Sequence, residues 1–346
     1  MGARIMLRSQ DWIEMAQPSK LLQKLSTRLF DDDAERDRFI AALLDPLPSH
    51  PCILWCGNNP GTTPFDTAPP LPWQPVWIDR LAIGSRPGQH PLHQQGAYYC
   101  IDFSSIFAAS VLCAVPQSRP WAIDLCAAPG GKSIFLWKLL QPQHLIANEV
   151  IGKRLGMLKS NLQRCGIYPA SITNLDPQIF ATHLPQAFPV AIVDAPCSGQ
   201  SLLAKGSKAP GCFHPVTLNK NANRQKRILA NTAALIAPQG YLAYTTCTYS
   251  LEENEQVCAW FLKRFPQFQP VAVPHLAAYQ STFTDHPCYR LWPQQGLGAG
   301  AFAALFQQQD DSAPARSSPS TDATAGALQA FLTKFAIASF SMLESD

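Results

Sequence analysis

A chain of 346 residues, 47% hydrophobic and 15% charged, is long enough for one large core with a smaller satellite domain and too apolar to be disordered. Its net charge of +3 is compatible with a phosphate-bearing partner but does not require one. The eleven cysteines, an odd number without any Cys-x-x-Cys pair, argue against a metal site or disulfide scaffold and for reduced, cytoplasmic thiols. His90 and His93 have no second ligand pair beside them.

Residues 1–17 mix Arg4, Arg8, Asp11 and Glu14 without an apolar run, so no secretory signal is expected. Gly2 opens no myristoylation signal because residue 6 is Met, and no segment is suited to crossing a membrane. Residues 18–46 predict two helices, with Leu21, Leu22, Leu25 and Leu29 and then Phe39, Ile40, Leu43 and Leu44 at helical spacing. A short strand is expected at residues 52–56, followed by a Pro/Gly/Thr-rich run to Pro75. Residues 1–96 are read as a small N-terminal α/β domain with an RNA-binding role.

From residue 97 apolar strands alternate with helices, the pattern of a mostly parallel, doubly wound α/β sheet. Strands are expected at 121–125, 144–149, 171–174, 190–194 and 241–246, and helices near 132–140, 153–165 and 218–237. Ser250 and Glu253 have the spacing of a capping box, predicting a helix from residue 250 to about 264. This domain is taken to end at 306. A polar flexible linker is expected over 307–326. Residues 327–346 predict a final amphipathic helix that docks on the body or on a second chain, with Leu328, Phe331, Leu332, Phe335, Phe340 and Leu343 on one face.

The first chemical motif is Asp124-Leu-Cys-Ala-Ala-Pro-Gly-Gly-Lys-Ser133, which follows a strand and opens a helix. Such a loop brings backbone close to a ligand at the carboxyl end of a sheet, and Gly130 and Gly131 remove Cβ atoms that would obstruct it. It is not a phosphate-binding P-loop, because the glycine that motif needs at position 126 is Cys126. The dinucleotide pattern of three spaced glycines is also absent. At the end of the next strand stands Glu149, a carboxylate able to accept both ribose hydroxyls of an adenosine-containing cofactor.

Two further motifs end later strands. Val190-Ala-Ile-Val-Asp-Ala-Pro-Cys-Ser-Gly199 carries Asp194 and Cys197, and Tyr244-Thr-Thr-Cys-Thr-Tyr249 carries Cys247. Strand carboxyl ends share one edge of a doubly wound sheet, so two thiols and a carboxylate should face the crevice beside the first loop.

Taken together, DLCAAPGGKS, DAPCSG and TTCTYSLEENE resemble the Sun family of RNA cytosine-C5 methyltransferases, and most closely its bacterial ribosomal-RNA branch. The resemblance covers roughly residues 75–306, including Tyr98-Tyr99 and Arg290-Leu-Trp-Pro293. It implies a Rossmann-like class I fold that uses S-adenosylmethionine and takes rRNA or tRNA as substrate, with no metal and no membrane partner. Carbon 5 of cytosine is a poor nucleophile, so such enzymes first add a thiolate to carbon 6. The resemblance gives that role to Cys247, contact with N3 and the exocyclic amine to Asp194, and breakdown of the adduct to Cys197. Lys132 would lie near the base and lower a thiol pKa. Cys126, Ala127, Ala128, Pro129, Gly130, Gly131, Lys132, Glu149, Asp176 and Asp194 match the family's cofactor contacts.

The match departs from the family at three places. The arginine-rich stretch usual after the Pro-Cys motif is replaced by Leu202-Leu-Ala-Lys-Gly-Ser-Lys-Ala-Pro-Gly211, leaving Lys205, Lys208, Lys220, Arg224, Lys226 and Arg227 to meet phosphates. Cys56-Gly-Asn-Asn59 stands where an Arg-x-Asn signature is expected, and no RNA-binding domain follows residue 306. Two other readings remain open at this level: a DNA cytosine-C5 methyltransferase with Cys197 as nucleophile, and a catalytically silent ribosome-assembly factor. An amino-group methyltransferase is disfavoured, because Asp194-Ala-Pro-Cys197 lacks the Pro-Pro-aromatic step that such chemistry uses.

Overall fold

The computed structural model describes residues 17–57, 63–116, 120–309 and 321–341. The expectations for residues 1–16, Asn58 and Asn59, positions 310–320 of the linker and Leu343 lie outside the described residues. Helices α1 (Lys20–Leu29) and α2 (Asp33–Leu44) open the chain. Each is capped by a side chain that accepts from a backbone N–H, Ser19 from Leu22 and Asp32 from Glu35. Strands β1 (Cys52–Trp55) and β2 (Ile78–Arg80), the short helix α3 (Pro91–Gln94) and β3 (Tyr98–Ile101) follow. The three strands form an antiparallel sheet in the order β2-β1-β3. Its third strand lies just past residue 96, because Tyr98 packs with Ile53, Trp55 and Leu81.

The larger body runs α4 (Phe103–Ala109), β4 (Trp121–Asp124), α5 (Gly131–Leu140), β5 (His144–Asn148), α6 (Gly152–Arg164), β6 (Ala170–Thr173), α7 (Pro177–His183) and β7 (Phe188–Asp194). It continues with α8 (Pro215–Leu235), β8 (Ile236–Thr246), α9 (Glu255–Arg264), β9 (Phe268–Pro270), β10 (Tyr289–Leu291), β11 (Ala301–Gln308), α10 (Thr321–Phe335) and β12 (Ala336–Phe340). Among the described residues the main sheet has the order β10-β11-β8-β7-β4-β5-β6-β12, with β9 paired to β11. The strands β8, β7, β4, β5 and β6 run parallel to one another, while β11 beside β8 and β12 beside β6 are antiparallel.

Both faces of this sheet are covered, and period-2 side chains divide between them. On β7, Val190 and Ile192 join the layer containing Phe107, Phe135 and Leu162, while Ala191 and Val193 join the layer with Phe180, Leu229 and Phe261. The chain winds outward from β4 through β5 to β6, then returns to the other side of β4 with β7. This reversal opens a crevice at the carboxyl ends of β4 and β7. A third core ties α1 and α2 to the same edge: Leu22, Leu25, Leu29, Phe39 and Leu43 pack around Tyr249. The Phe39 and Tyr249 rings meet edge-on at 5.1 Å.

Three expected elements differ. The linker predicted over 307–326 is at its start the end of β11, where Gln307 and Gln308 pair with β8 and β9, and from Thr321 it is already helix α10. The helix predicted from Ser250 begins at Glu255, after turns through residues 251–254. Ser250 Oγ does donate to Glu253, at 2.9 Å, but Glu253 is fully buried and committed to other partners instead of capping a helix. The final amphipathic helix ends at Phe335, where the chain becomes strand β12 and pairs antiparallel with β6. Phe340 therefore lies on a strand, near Tyr168. Leu328, Phe331 and Leu332 are buried on the face formed by Phe180 and Leu184, as a helix docked on the body requires. Among the described residues no helix is long and apolar enough to cross a membrane.

Candidate active site

Five strand ends, those of β4, β5, β6, β7 and β8, deliver the predicted residues to one edge. After β4, the backbone turns through Cys126–Gly130 under the control of Asp124, which accepts from Cys126 N–H at 3.1 Å and Ser133 Oγ at 2.7 Å. The two glycines are needed for different reasons. Gly130 has φ +118°, a conformation closed to side chains, whereas a Cβ on Gly131 would lie 3.1 Å from Tyr99 and Ile101. The absence of a Cβ at Gly131 thus serves packing against β3 as well. Ala127 and Ala128 are buried in this turn, and Pro129 O accepts from Asn161 Nδ2. Burial holds the Cys126 thiol well above its ordinary range.

Burial also pushes the Asp124 carboxyl up to about 7, with the Ser133 hydroxyl and the Cys126 N–H only partly opposing it. A group that binds its proton more tightly when folded makes the native state lose stability as pH climbs from the unfolded carboxylate range to 7. Asp124→Asn should therefore show a smaller fall in thermal unfolding midpoint between about pH 5 and pH 8 than the parent protein. Superimposable pH profiles for the two would contradict this assignment.

At the end of β5, Glu149 is buried and accepts from Ile151 N–H at 2.9 Å and from Arg154 at 3.0 Å. The other terminal nitrogen of Arg154 donates to Ala128 O, so one guanidinium ties this carboxylate to the β4 loop. Asn148, also fully buried, donates to Leu125 O and Leu175 O and fixes the loops that follow β4 and β6. Asp176 is the N-cap of α7, accepting from Gln178 N–H and pairing with Arg227 at 2.9 Å. It therefore has a structural role besides the predicted one.

The reactive groups converge between β7, β8 and the start of α5. Lys132 Nζ is 2.8 Å from Asp194 Oδ2, while Thr245 Oγ1 donates to Asp194 Oδ1 at 2.9 Å. Burial lowers the Lys132 pKa, but the Asp194 carboxylate more than offsets this and holds the ammonium above its usual value. Cys197 Sγ and Cys247 Sγ are 3.2 Å apart, and the Cys247 residue is exposed. A hydrogen bond from the Cys197 thiol holds Cys247 below the ordinary thiol pKa, with help from Lys132 against the nearby Asp194 charge. The same contact, with burial, holds Cys197 well above it. Cys247 is therefore the more acidic of the two thiols.

Buried polar contacts around Glu253 fix both cysteine loops. Glu253 accepts from Ser198 N–H at 2.8 Å, Ser198 Oγ at 2.6 Å, Ser250 Oγ at 2.9 Å and Gln225 Nε2 at 3.1 Å. Gln225 also donates to Pro196 O. Behind it, Arg290 forms a buried two-pronged pair with Glu255 and donates to Tyr249 O at 3.0 Å. Only the acidic run after Cys247 and the Arg290-Leu-Trp-Pro293 stretch marked these residues in the sequence.

Of the six cations in the Lys205–Arg227 stretch, Lys205 pairs with Asp102 at 3.3 Å and Arg227 with Asp176. Lys226 lies over Trp260. Lys208, Lys220 and Arg224 form no ion pair among the described residues.

Comparison with known proteins follows the same residues. The family model of the 16S rRNA methyltransferase RsmB/F matches residues 111–307. Ribosomal RNA small subunit methyltransferase F of Cronobacter sakazakii is 34% identical over 247 residues, covering 69% of this chain and 51% of that protein. The protein of that name from Serratia proteamaculans is 30% identical, covering 70% of this chain and 49% of its own length. The chain thus spans about half the length of the curated relatives it matches. Among solved structures, a methyltransferase homolog from Pyrococcus horikoshii aligns with TM-score 0.65 at 22% identity, over 84% of this chain and 100% of that one. NSun6 from the same organism aligns with TM-score 0.67 at 17% identity, over 85% and 99%. These two likenesses are of fold. The family match spans more than half of the chain and takes in the Asp124 loop, Glu149, Asp194 and both cysteines of the paired loops, so the chain belongs to the 16S rRNA methyltransferase RsmB/F family.

Proposed function

We propose that this chain is an RNA cytosine-C5 methyltransferase that acts on ribosomal RNA through a covalent bond from Cys247 to carbon 6 of the target base. The observation that carries the proposal is the 3.2 Å approach of an exposed Cys247 to Cys197, beside the Lys132–Asp194 pair. Work on ribosomal RNA puts the chain in the cytoplasm.

The residues present fit an S-adenosylmethionine site. The Glu149 carboxylate uses two of its roughly four acceptor positions internally, which leaves capacity for ribose hydroxyls. The loop of residues 126–132 adjoins it through Arg154, and Asp176 and Asp194 complete the set. When bound, that cofactor supplies an electrophilic methyl group.

The chain's own groups provide the rest. The Cys247 thiolate forms a carbon–sulfur bond at carbon 6, which raises electron density at carbon 5. Asp194, oriented by Lys132 and Thr245, accepts from the exocyclic amine and from the N3–H formed as N3 takes up a solvent proton on thiolate addition, a proton given back when the base is released. Once carbon 5 is methylated, its proton passes to solvent at the exposed site, the C–H electron pair forms the double bond between carbons 5 and 6, and the carbon–sulfur pair returns to Cys247. The Cys197 thiol stabilises that leaving thiolate by hydrogen bonding to it.

The opposite assignment, Cys197 as nucleophile on DNA, meets a thiol that is less exposed and held protonated. Incubating the protein with methyl-labelled cofactor and bulk rRNA should place label in 5-methylcytosine. Transfer to DNA alone, or to no nucleic acid, would overturn the proposal, and the second outcome would favour an assembly factor.

A further inference from the structure

We infer that the cavity between α1 and the start of α8 is a subsite for one unpaired nucleotide of the RNA strand that carries the target cytosine; the inference rests on the RNA methyltransferase reading above. The cavity has a volume of about 260 Å³. Leu21, Leu25 and Leu218 form apolar walls, and Phe213 is half-buried among them, leaving part of its ring for a base to stack on. Leu21 remains 38% exposed at the rim, an apolar side chain kept open to solvent beside charged neighbours.

The charge at this rim suits a phosphate. Lys24 and Arg28 line the cavity from successive turns of α1, and Lys20 extends the same stripe one turn earlier. Arg28 is held by Glu252 at 2.7 Å. Lys20 and Lys24 are exposed and form no ion pair among the described residues, so their charge is available to a strand lying across the opening. An aromatic ring beside free ammonium groups is the pairing that single-stranded RNA recognition uses.

The cavity is mechanically continuous with the cysteine loops. Gln200, fully buried in its wall, accepts from Tyr249 N–H at 2.8 Å and donates to Cys212 O at 3.0 Å. The next residue, Ser201, donates its N–H to Cys247 O at 3.2 Å. Glu252 on the rim directly precedes Glu253, which clamps both loops. A strand that delivers its cytosine to Cys247 thus carries neighbouring nucleotides over this opening, and occupancy there fixes the register of the target base.

The test uses the full chain and a fluorescent single-stranded RNA of mixed sequence, about 12 nucleotides long, titrated by anisotropy at low and moderate salt. Phe213→Ala should weaken binding about tenfold at both salts, and Phe213→Tyr should restore it. Lys24→Glu should weaken binding and lower the salt slope by about one. Binding of S-adenosylhomocysteine should match the parent in all three variants; if Phe213→Ala loses it through misfolding, the surface variant Lys24→Glu decides. Parent-like RNA affinity and salt slope in Lys24→Glu and Phe213→Ala would overturn the subsite while leaving methyl transfer by the parent protein intact. A parent protein that neither binds nor methylates RNA would remove the reading beneath it. Self-association abolished by Phe213→Ala would assign the cavity to a second copy and overturn the inference equally.

Discussion

Cys247→Ala is expected to reduce methyl transfer to background, a loss on the order of 10⁴-fold or more, and to form no covalent complex with RNA. Cys197→Ala should behave differently. It retains the nucleophile but lacks the thiol 3.2 Å away that stabilises the departing sulfur, so turnover falls while a protein–RNA adduct accumulates on a denaturing gel. The same substitution removes the hydrogen bond that acidifies Cys247. Alkylation of Cys247 by iodoacetamide should therefore reach half its maximal rate at a higher pH in Cys197→Ala than in the parent protein. An adduct in Cys247→Ala with none in Cys197→Ala would exchange the two roles.

Glu253 gives the second large effect without touching the substrate. Its carboxylate is fully buried, and burial holds it above the usual carboxylate range despite four close donors. Truncation in Glu253→Ala leaves those donors without a partner, at about 1–3 kcal/mol for each group left unsatisfied, so this variant should unfold at a markedly lower temperature or fail to fold. Glu253→Gln is the informative change, since it preserves volume and one acceptor while turning an NH2 group toward donors. It should fold and bind S-adenosylhomocysteine, yet form the RNA adduct about 100-fold more slowly, because the Cys197 and Cys247 loops lose their common anchor. Parent-like adduct formation in a folded Glu253→Gln protein would show that the clamp is not needed.

The sequence made legible what depends on short-range pattern. Short apolar runs at residues 121–125 and 190–194 marked strands buried on both faces, and they form β4 and β7. The cysteine and Asp124 motifs were readable because each sits where a strand ends, and doubly wound sheets gather those ends on one edge. Contacts across long separations were not readable. Ser250 and Glu253 have capping-box spacing, but the carboxylate is drawn to Ser198, 55 residues away, and the helix starts later. The segment Ala336–Phe340 continues a helical apolar pattern on paper and becomes a strand because the open edge of β6 supplies a hydrogen-bonding partner. Arg154 reads as an ordinary helix-surface cation until its contacts with Glu149 and Ala128 are seen. The cavity beside α1 is likewise a product of packing, since Lys24 and Phe213 meet only in three dimensions.

The central claim is that sulfur 247 bonds to the base, and RNA containing 5-fluorocytosine tests it most directly. Fluorine at carbon 5 cannot leave as a proton does, so the enzyme stalls after methyl transfer with the carbon–sulfur bond intact. Digestion and mass spectrometry of the trapped complex should find the nucleotide on the peptide containing Cys247. A nucleotide carried by the Cys197 peptide, or a complete absence of cross-link under conditions where ordinary RNA is methylated, would contradict the account.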